Sequence, residues 1–341
     1  MKKLRVLVLM HDYLVPPADR TGIDPKTAPW RMEFDVLETL RARLGHDVHE
    51  LGVKDDLAGI RQATDEFKPH IAFNLLEAFH EVGTFDQNVV SYLELLRLSY
   101  TGCNPRGMLR ARDKALSKKL LHYHRIPVPE FVVVPRGRRP RLTKRMRFPL
   151  IVKSLTQEAS IGISQASVVE DEHKLRERVQ FIHESIGTDA IVEAYIAGRE
   201  LYCGVIGNQR LQALPVWEMV FDRMPEHQHR IATERVKWNA KYQEKMGIMT
   251  GWADDLDEHI AARVQHLSKR AYRVLELSGY ARIDLRLDEA GTVHVLEVNP
   301  NPQIADGEDF ARSADFAGLE YPALIQRILT IGMRWEAARM G

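Results

Sequence analysis

Two neighbouring segments near the C-terminal end of the chain alternate aliphatic and polar residues with the period of a β-strand. The segments are residues 281–285 and 296–302, and residues 288–291 between them have the composition of a hairpin loop. Side chains alternate between the two faces of a strand, so an antiparallel hairpin collects polar side chains from both strands on one face. The sequence therefore predicts a cluster of charged groups on the surface of a β-sheet.

The polar face of this hairpin has the donor set of a metal–phosphate site. Hard divalent cations such as Mg²⁺ prefer carboxylate and amide oxygens, and arginine binds the phosphate that such ions bridge. A solvent-exposed polar hairpin is the alternative, but an amide beside two carboxylates, followed by prolines that fix the chain, favours the metal–phosphate site. The residues concerned are Arg282, Asp284, Arg286, Glu297 and Asn299.

The composition is that of a globular enzyme. With 341 residues, 45% of them hydrophobic and 28% charged, the chain is long enough for two or three domains. The 48 basic residues balance 47 acidic ones, which indicates neither a nucleic-acid partner nor an anionic membrane. The two cysteines have no metal or redox spacing and fit a cytoplasmic protein. The apolar run at 4–10 is too short for a signal peptide, and no stretch approaches the roughly 20 apolar residues of a membrane span.

Alternating strand and helix patterns over the first hundred residues predict a small open parallel sheet. The strands are predicted at 4–10, 47–52 and 70–75, with a short one ending at 100–102, and the helices at 30–44, 55–67 and 85–98.

Two further parts follow, both richer in strands. The middle part is predicted to hold helices at 113–125 and 172–184 and strands at 131–134, 148–153, 164–169 and 190–194. The last part is predicted to hold strands at 201–207 and 209–216, a long helix at 257–278 and the polar hairpin. Residues 221–252 have no sustained period and predict a mobile loop over a site.

Two weaker patterns in the middle part fit nucleotide binding. Lys153 ends an apolar strand and is followed by the loop 155–164, whose N–H groups can hold phosphates, although a single glycine does not make a phosphate cradle. Between Glu193 and Glu200 the chain turns at Ala197-Gly198, where exposed backbone can pair with a purine edge; a simple connector is the alternative. The basic stretch 135–147 lacks interleaved aromatics, which favours a solvated loop over an RNA-binding patch.

In combination these motifs resemble the ATP-grasp superfamily and, within it, the D-alanine–D-alanine ligase family. The resemblance covers about residues 70–335 and extends more loosely to the N-terminal part. The motifs match in order and spacing, and they are Asp113-Lys114 at the start of a helix, Val152-Lys153 before Ser160-Ile161-Gly162, the segment from Glu193 to Glu200, Asn239-Ala240-Lys241-Tyr242, and the polar hairpin.

The resemblance implies an α/β protein with the ATP-grasp fold. An N-terminal open parallel α/β domain would occupy residues 1–103, a central lobe 104–196 and a C-terminal lobe 197–341, with ATP between the two β-sheet lobes. The implied enzyme is an ATP-dependent carboxylate–amine ligase that forms an amide or peptide bond through an acyl phosphate. ATP and two Mg²⁺ ions, or Mn²⁺ in their place, are the implied cofactors. The implied partners are small amino-acid-like substrates, and a homodimer is left open.

The resemblance also implies a role for each site residue. Lys114 and Lys153 would contact ATP phosphates, Glu193 with the backbone of Ala194 and Ile196 would hold adenine, and Glu200 would hold the ribose. The Mg²⁺ ions would be bound by Asp284, Glu297 and Asn299, and Lys241 would reach the γ-phosphate. Arg282 would stabilise the tetrahedral intermediate, Ser160 would close over the site, and Glu33 would hold the first substrate's amino group.

The sequence departs from the family at two places that bear on the substrates. The family's Pro-Gly step and later serine–leucine pair, which receives the second amino acid's carboxylate, are replaced by Pro302-Gln303 and Glu308-Asp309. Its His-Gly-Thr-like turn is replaced by residues 77–80, Glu-Ala-Phe-His. Acidic residues repel a carboxylate, so we predict a ligase of this type with substrates other than D-alanine.

Three other functions are weighed against this prediction. Authentic D-alanine–D-alanine ligase is the first alternative. A non-catalytic ATP-binding protein is the second, but a degenerate site usually loses its metal ligands and this chain keeps them. A dinucleotide-binding oxidoreductase is excluded because no G-x-G-x-x-G motif follows the first strand.

Overall fold

The computed structural model describes residues 3–157 and 160–337. The chain in these ranges is organised around three β-sheets that follow one another along the sequence. Glu158 and Ala159, which belong to the predicted phosphate loop, lie outside the described residues, as do the two ends of the chain. No helix in the described ranges is both long and apolar enough to cross a bilayer.

The first sheet is parallel and confirms the predicted βαβ order. Its strands lie in the order β2-β1-β3, and the predicted strand ending at 100–102 is reduced to one parallel bridge between Ala72 and Tyr100. Both faces of β1 are covered, which explains its uninterrupted apolar sequence. The elements are β1 (Arg5–His11), α1 (Arg31–Glu38, extended by a wider turn at 39–43), β2 (Asp47–Val53), α2 (Ala58–Phe67), β3 (Ile71–Asn74) and α3 (Asp86–Leu95).

Two helices connect the first sheet to the second. The helix at 113–125 was predicted, whereas the one before it was not. Asn104 caps that earlier helix by accepting the Gly107 N–H at 2.9 Å, and Pro105 occupies its first position. The two helices are α4 (Pro105–Arg112) and α5 (Lys114–Tyr123).

The second sheet is antiparallel, with the strand order β4-β7-β5-β6. The predicted strand at 164–169 is wrong for its first half, because residues 165–167 form a 3₁₀ turn and only two residues pair with β5. The elements are β4 (Phe131–Val134), β5 (Leu150–Ser154), β6 (Val168–Val169), α6 (Glu172–Phe181) and β7 (Ala190–Ala194).

The third sheet has six strands and carries the predicted hairpin. Arg282 pairs with Asn299 and Asp284 with Glu297, so the four side chains share one face as predicted. The main path of the sheet is β11-β10-β8-β12-β13, with β9 beside β8. The elements are β8 (Arg199–Ile206), β9 (Gln212–Ala213), β10 (Trp217–Phe221), α7 (Glu234–Trp238), α8 (Ala240–Met246), β11 (Ile248–Trp252), α9 (Glu258–Val274), β12 (Tyr280–Leu287), β13 (Val293–Pro300), α10 (Asp309–Phe316) and α11 (Tyr321–Met333).

Two predictions in this last part were wrong. The strand expected at 209–216 is only the two residues of β9. The stretch 221–252 contains α7, α8 and β11 where an irregular loop was expected. Thr233 and Asn239 cap the two helices by accepting N–H groups of their first turns at 3.1 and 2.9 Å, so local hydrogen bonds specify helices too short to show a period.

The outer parts of the chain pack closely on each other. α11 packs on the first sheet and shares one apolar core with β1 and α1, although the domain prediction assigns it to the C-terminal lobe. Gly279, just before β12, has φ +73°, and a Cβ there would lie 2.3 Å from the Gly102 carbonyl oxygen. Only glycine permits this approach of the two backbones, which sets the hairpin beside the first sheet. The domain limits at 103 and 196 remain predictions.

Candidate active site

The polar face of the hairpin opens into a cleft between the second and third sheets, called the interlobe cleft below. β5 and β7 form one wall, and β8, β12 and β13 form the other. Residues 231, 232 and 237 line it from the segment before and within α7. The cleft therefore brings together side chains from both sheets, and its charged lining residues are Lys153, Glu193, Glu200, Lys237, Asp284, Arg286 and Glu297.

Lys114 connects the hairpin to the loop after β5. Asp113 caps α5 by accepting two N–H groups of its first turn at 2.9 Å, which fixes where Lys114 lies. The Lys114 Nζ lies 2.9 Å from Glu297 Oε1 and donates to the Gln157 carbonyl oxygen at 2.6 Å. The predicted phosphate lysine thus lies between a predicted metal carboxylate and the predicted phosphate loop.

Glu193 is at the centre of a buried charge cluster. Its two carboxylate oxygens lie 3.2 Å from Lys118 Nζ and 3.1 Å from Lys153 Nζ. Burial raises the pKa of Glu193, but the two ammonium groups outweigh burial and hold the pKa below its usual value. Two lysines therefore face one buried carboxylate, next to the place predicted for the nucleotide.

The predicted adenine and ribose residues lie together at the end of β7 and the start of β8. The Ala194 N–H already donates to Glu130 O at 2.8 Å, so an adenine contact at Ala194 has to use its carbonyl oxygen. Arg286 donates to the Ile196 carbonyl at 3.3 Å and to Glu200 Oε2 at 2.7 Å. Arg286 therefore holds the turn between the predicted adenine and ribose residues in place.

Asp284 and Glu297 are directly opposed across the hairpin but differ in their partners. Arg282 binds both oxygens of Asp284, at 2.7 and 2.9 Å. Burial raises the pKa of Asp284, whereas the lysines around Glu297, Lys114 foremost, outweigh burial and lower its pKa to about 2. At least Glu297 is a carboxylate at neutral pH.

The donor set fits a divalent cation when the amide is included. In the ranges that the structure describes, no three acidic, histidine or cysteine side chains come close enough to form a metal site by themselves. The predicted set instead combines two carboxylates with Asn299, which pairs with Arg282 and whose amide nitrogen is buried without a hydrogen-bond partner in those ranges. The Lys114 and Arg282 contacts balance the two carboxylates at present, and Mg²⁺ prefers such oxygen donors.

The loop after β5 and the segment 229–237 are joined above the cleft. Ser160 has φ +62°, and its hydroxyl donates to Ala232 O at 2.7 Å. Gln165 exchanges two hydrogen bonds of 2.9 Å with the backbone of His229. These contacts close the two segments over the site, where the sequence predicted a cover; whether the cover moves stays a prediction.

The structure does not bring Lys241 to the cleft. Lys241 is exposed on α8, whereas Lys237, one turn earlier on α7, lines the cleft. The charge of Lys237 adds to that of Lys114 in lowering the pKa of Glu297, and it partly offsets the rise that burial causes in the pKa of Asp284. The predicted γ-phosphate role of Lys241 is therefore untested, and Lys237 occupies the place expected for such a lysine.

Comparisons with known proteins agree with this geometry. Residues 120–330 match the family model described as the D-ala D-ala ligase C-terminus. A D-alanine–D-alanine ligase of Desulfotalea psychrophila is 30% identical over 285 residues, covering 82% of this chain and 84% of that protein. The ligase of Desulforudis audaxviator is 30% identical over 304 residues, covering 87% and 90%. This chain belongs to the D-alanine–D-alanine ligase family.

A solved structure of a family member has the same fold. The D-alanine–D-alanine ligase of Bacillus anthracis complexed with ATP superimposes with a TM-score of 0.74 at 22% identity, covering 97% of this chain and 98% of that one. The predicted ATP-grasp fold is thus confirmed. Membership of the ligase family also confirms the prediction of an ATP-dependent enzyme that joins a carboxylate to an amine.

Glu308 and Asp309, which the sequence analysis identified as departures from the family, both have partners in the structure. Arg31 lies 2.9 Å from Glu308 and so balances its charge, which the sequence did not indicate. Asp309 accepts a hydrogen bond from the Thr250 hydroxyl at 2.5 Å. Its charge, after that of Asp284, is one of those that raise the pKa of Arg282, so Asp309 faces the same end of the hairpin. Of these two acidic residues, Asp309 is the one whose charge bears on the site.

Glu33, the residue predicted to hold the first substrate's amino group, lies buried on α1. It is 1% exposed, and its Oε1 atom has no hydrogen-bond partner in the described ranges. Burial, with Glu77 as a further neighbour, raises its pKa to about 7. Burial raises the pKa of Tyr13, and the carboxyls around it, Glu33 among them, raise it further, so Glu33 and Tyr13 are neighbours.

Two residues that line the cleft and one that contacts Glu193 from behind it were given no role in the prediction. Lys118 follows Lys114 by four positions and so shares its helix face, which the sequence does reveal. Arg286 was placed on the polar face of the hairpin but given no role. Lys237 had no local signal, because its place depends on how α7 folds over the cleft.

Proposed function

We propose that the protein joins a small carboxylate to an amine through an acyl phosphate, releasing ADP and phosphate. The observation that carries this proposal is the pairing of Asp284 with Glu297 across the hairpin, in one cleft with Lys153 of the second sheet and Lys237 of α7. Such a cleft places metal-binding oxygens and phosphate-binding cations on opposite sides of the same space. ATP binding there follows from charge, since three or four phosphate charges need several cations.

The reaction makes and breaks two bonds in sequence. A carboxylate oxygen attacks the γ-phosphorus, the bond from phosphorus to the bridging oxygen of ADP breaks, and an acyl phosphate forms. The amine then attacks the acyl carbon and loses a proton, and phosphate leaves with the original carboxylate oxygen. Lys114, Lys153 and Lys237 would stabilise the charge on the phosphoryl oxygens, and Arg282 the oxyanion that forms on the acyl carbon.

Asp284, Glu297 and Asn299 would hold Mg²⁺, and we propose two ions. When bound, Mg²⁺ screens the phosphate charge and orients the phosphates for in-line attack. Arg282 has to share or release Asp284 in that state, which frees its guanidinium for the reacting carbonyl group. The proposed mechanism therefore uses the Arg282–Asp284 contact as a resting arrangement.

Water has to be kept from the acyl phosphate. An acyl phosphate exposed to water hydrolyses, so the site needs a cover during the reaction. The hydroxyl contact from Ser160 to Ala232 supports this role for the two segments above the cleft. We propose that they open to admit substrates and close before phosphoryl transfer.

The substrates are proposed to be amino-acid-like. Glu33, which is buried without a hydrogen-bond partner on its Oε1 atom in the described ranges, would hold the ammonium group of the carboxylate substrate. D-alanine for both substrates is the second candidate, favoured by the names of the relatives. Asp309 opposes it, because a carboxylate beside another carboxylate loses on the order of 1 kcal/mol in a partly wet site.

A screen of substrate pairs tests the function. ADP release would be measured with Mg-ATP and pairs of amino acids, small carboxylates and amines. The proposal predicts ADP release that requires both members of one pair, with an amide as product. ADP release independent of any pair, or AMP as product, would refute it. D-alanine alone as an efficient substrate would establish the second candidate instead.

A further inference from the structure

A second cleft lies between α1 and the start of α11 and is here called the α1–α11 cleft. α1 and the turn after it form one side, and Asp306 and Tyr321 form the other. It encloses about 200 Å³ and shares no lining residue with the interlobe cleft. A single water molecule needs only about 10–15 Å³ of such volume, so this space accommodates a small organic molecule.

The α1–α11 cleft is negatively charged. Three carboxylates line it, from Asp35, Glu38 and Asp306, against one guanidinium from Arg43. Arg31 lies nearby and is shared: its guanidinium group lies 2.9 Å from Glu308 and donates to the Asp306 carbonyl oxygen, and its Nε is 3.8 Å from Asp35. With Arg31 and Glu308 counted, four carboxylates face two guanidinium groups. The charge that remains in the cleft attracts a cation.

A buried hydroxyl in the same cleft lacks a partner. Tyr321 is 6% exposed and lines the cleft, and its hydroxyl has no hydrogen-bond partner in residues 3–157 and 160–337. Burial raises its pKa, and Asp35 and Asp306 raise it further, so the hydroxyl lies close to both carboxylates. An unpaired buried hydroxyl is costly, so a ligand that forms a hydrogen bond with it would stabilise the cleft.

We propose that the α1–α11 cleft binds a small organic cation with primary ammonium groups. An ammonium group has three N–H donors and no acceptor, which suits carboxylates and the phenol oxygen of Tyr321. A metal ion does not fit, because no three acidic, histidine or cysteine side chains in the described ranges are close enough to ligate one. Phe34 lines the same wall, with the Arg20 guanidinium group 4.9 Å from its ring centroid, and contributes apolar surface beside the carboxylates.

The test uses 1,4-diaminobutane and the full-length protein. The Asp306 N–H donates to Asp35 Oδ2 at 3.0 Å, so its amide resonance reports on the cleft. Titration at constant ionic strength should move that resonance to saturation in the millimolar range. Tetramethylammonium, which has charge but no N–H donor, should not saturate it.

Variants locate the binding. Tyr321→Phe and Asp35→Asn should each weaken binding about fivefold, as expected for one lost hydrogen bond. Asp65→Asn, an exposed acid on α2, is the matched control and should leave binding unchanged. Glu38→Gln, also exposed, serves if Asp35→Asn does not fold. The proposal would be overturned if 1,4-diaminobutane bound with unchanged affinity to Tyr321→Phe and to whichever of Asp35→Asn and Glu38→Gln folds. The absence of a saturable shift in the unmodified protein would overturn it as well.

Discussion

Lys118 and Glu193 form an ion pair of 3.2 Å in which each side chain is 1% exposed. The Lys118 Nζ also donates to the Leu296 carbonyl oxygen of β13 at 2.5 Å. A single ammonium group therefore connects a carboxylate of the second sheet to the backbone of the third, across the back of the interlobe cleft. We infer that Lys118 is a positioning residue: it holds Glu193 where adenine is predicted to bind.

Replacing Lys118 by methionine should destabilise the protein and weaken ATP binding. One partner of a buried pair would be lost, and Glu193 would keep only Lys153, so we expect a loss of about 3 kcal/mol in the free energy of unfolding. Lys119→Met, the exposed neighbour, is the matched control. Urea unfolding and calorimetric ATP titration measure the two effects. Equal behaviour of the two variants would contradict the assignment, and Lys118→Met with Glu193→Gln should lose less than the sum of the single changes.

Glu297→Gln should remove most activity and leave the fold intact. The change keeps the shape of the side chain but removes the charge that would hold Mg²⁺, so kcat should fall by at least about 100-fold. Glu289→Gln, exposed at the tip of the same hairpin, should retain full activity. Circular dichroism and ADP release are the measurements. Near-normal turnover by Glu297→Gln would refute the proposed metal site.

Replacing Lys237 and replacing Lys241 should have different effects on Mg-ATP binding. Lys237 lines the cleft and Lys241 is exposed, so Lys237→Met should weaken Mg-ATP binding about tenfold and Lys241→Met should not change it. Isothermal titration of each variant decides between them. If Lys241→Met loses binding or turnover while Lys237→Met keeps both, α8 moves inward during the reaction, and the predicted role of Lys241 is correct.

Glu33 should make the stability of the protein depend on pH. Its pKa rises from 4.5 to about 7 on folding, so the folded state binds the proton more tightly. The contribution of Glu33 to the free energy of unfolding is then fully present below pH 4.5 and is lost as the pH rises through 7. Glu33→Gln removes this loss and should gain on the order of 3 kcal/mol relative to the unmodified protein between pH 4.5 and 8. Urea unfolding at both pH values measures it, with the exposed Glu66→Gln as control. If the free energy of unfolding changes between the two pH values by the same amount in Glu33→Gln as in the unmodified protein, Glu33 is not buried as a carboxyl group.

The sequence predicted those parts of the site that local patterns determine. The hairpin has a period of two and a short loop, which together fix which side chains face each other, and Asp284 indeed pairs with Glu297. Lys118 was missed although it lies one turn from Lys114, because its burial depends on β7 and β13 arriving from distant parts of the chain. The same reason explains α11, which packs on the first sheet as well as on residues of β8, β12 and α10. α7 and α8 were missed because their five and seven residues are too few to establish a helical period.

The measurement that tests the central claim most directly follows an oxygen atom. The carboxylate substrate identified by the screen would be labelled with ¹⁸O, and the phosphate released in the presence of its amine partner would be analysed by mass spectrometry. An acyl phosphate requires one ¹⁸O atom to pass from the carboxylate to phosphate for each amide bond formed. Transfer at that ratio, with ADP as the nucleotide product, is the predicted result. Unlabelled phosphate, or ¹⁸O in AMP, would contradict the proposed reaction.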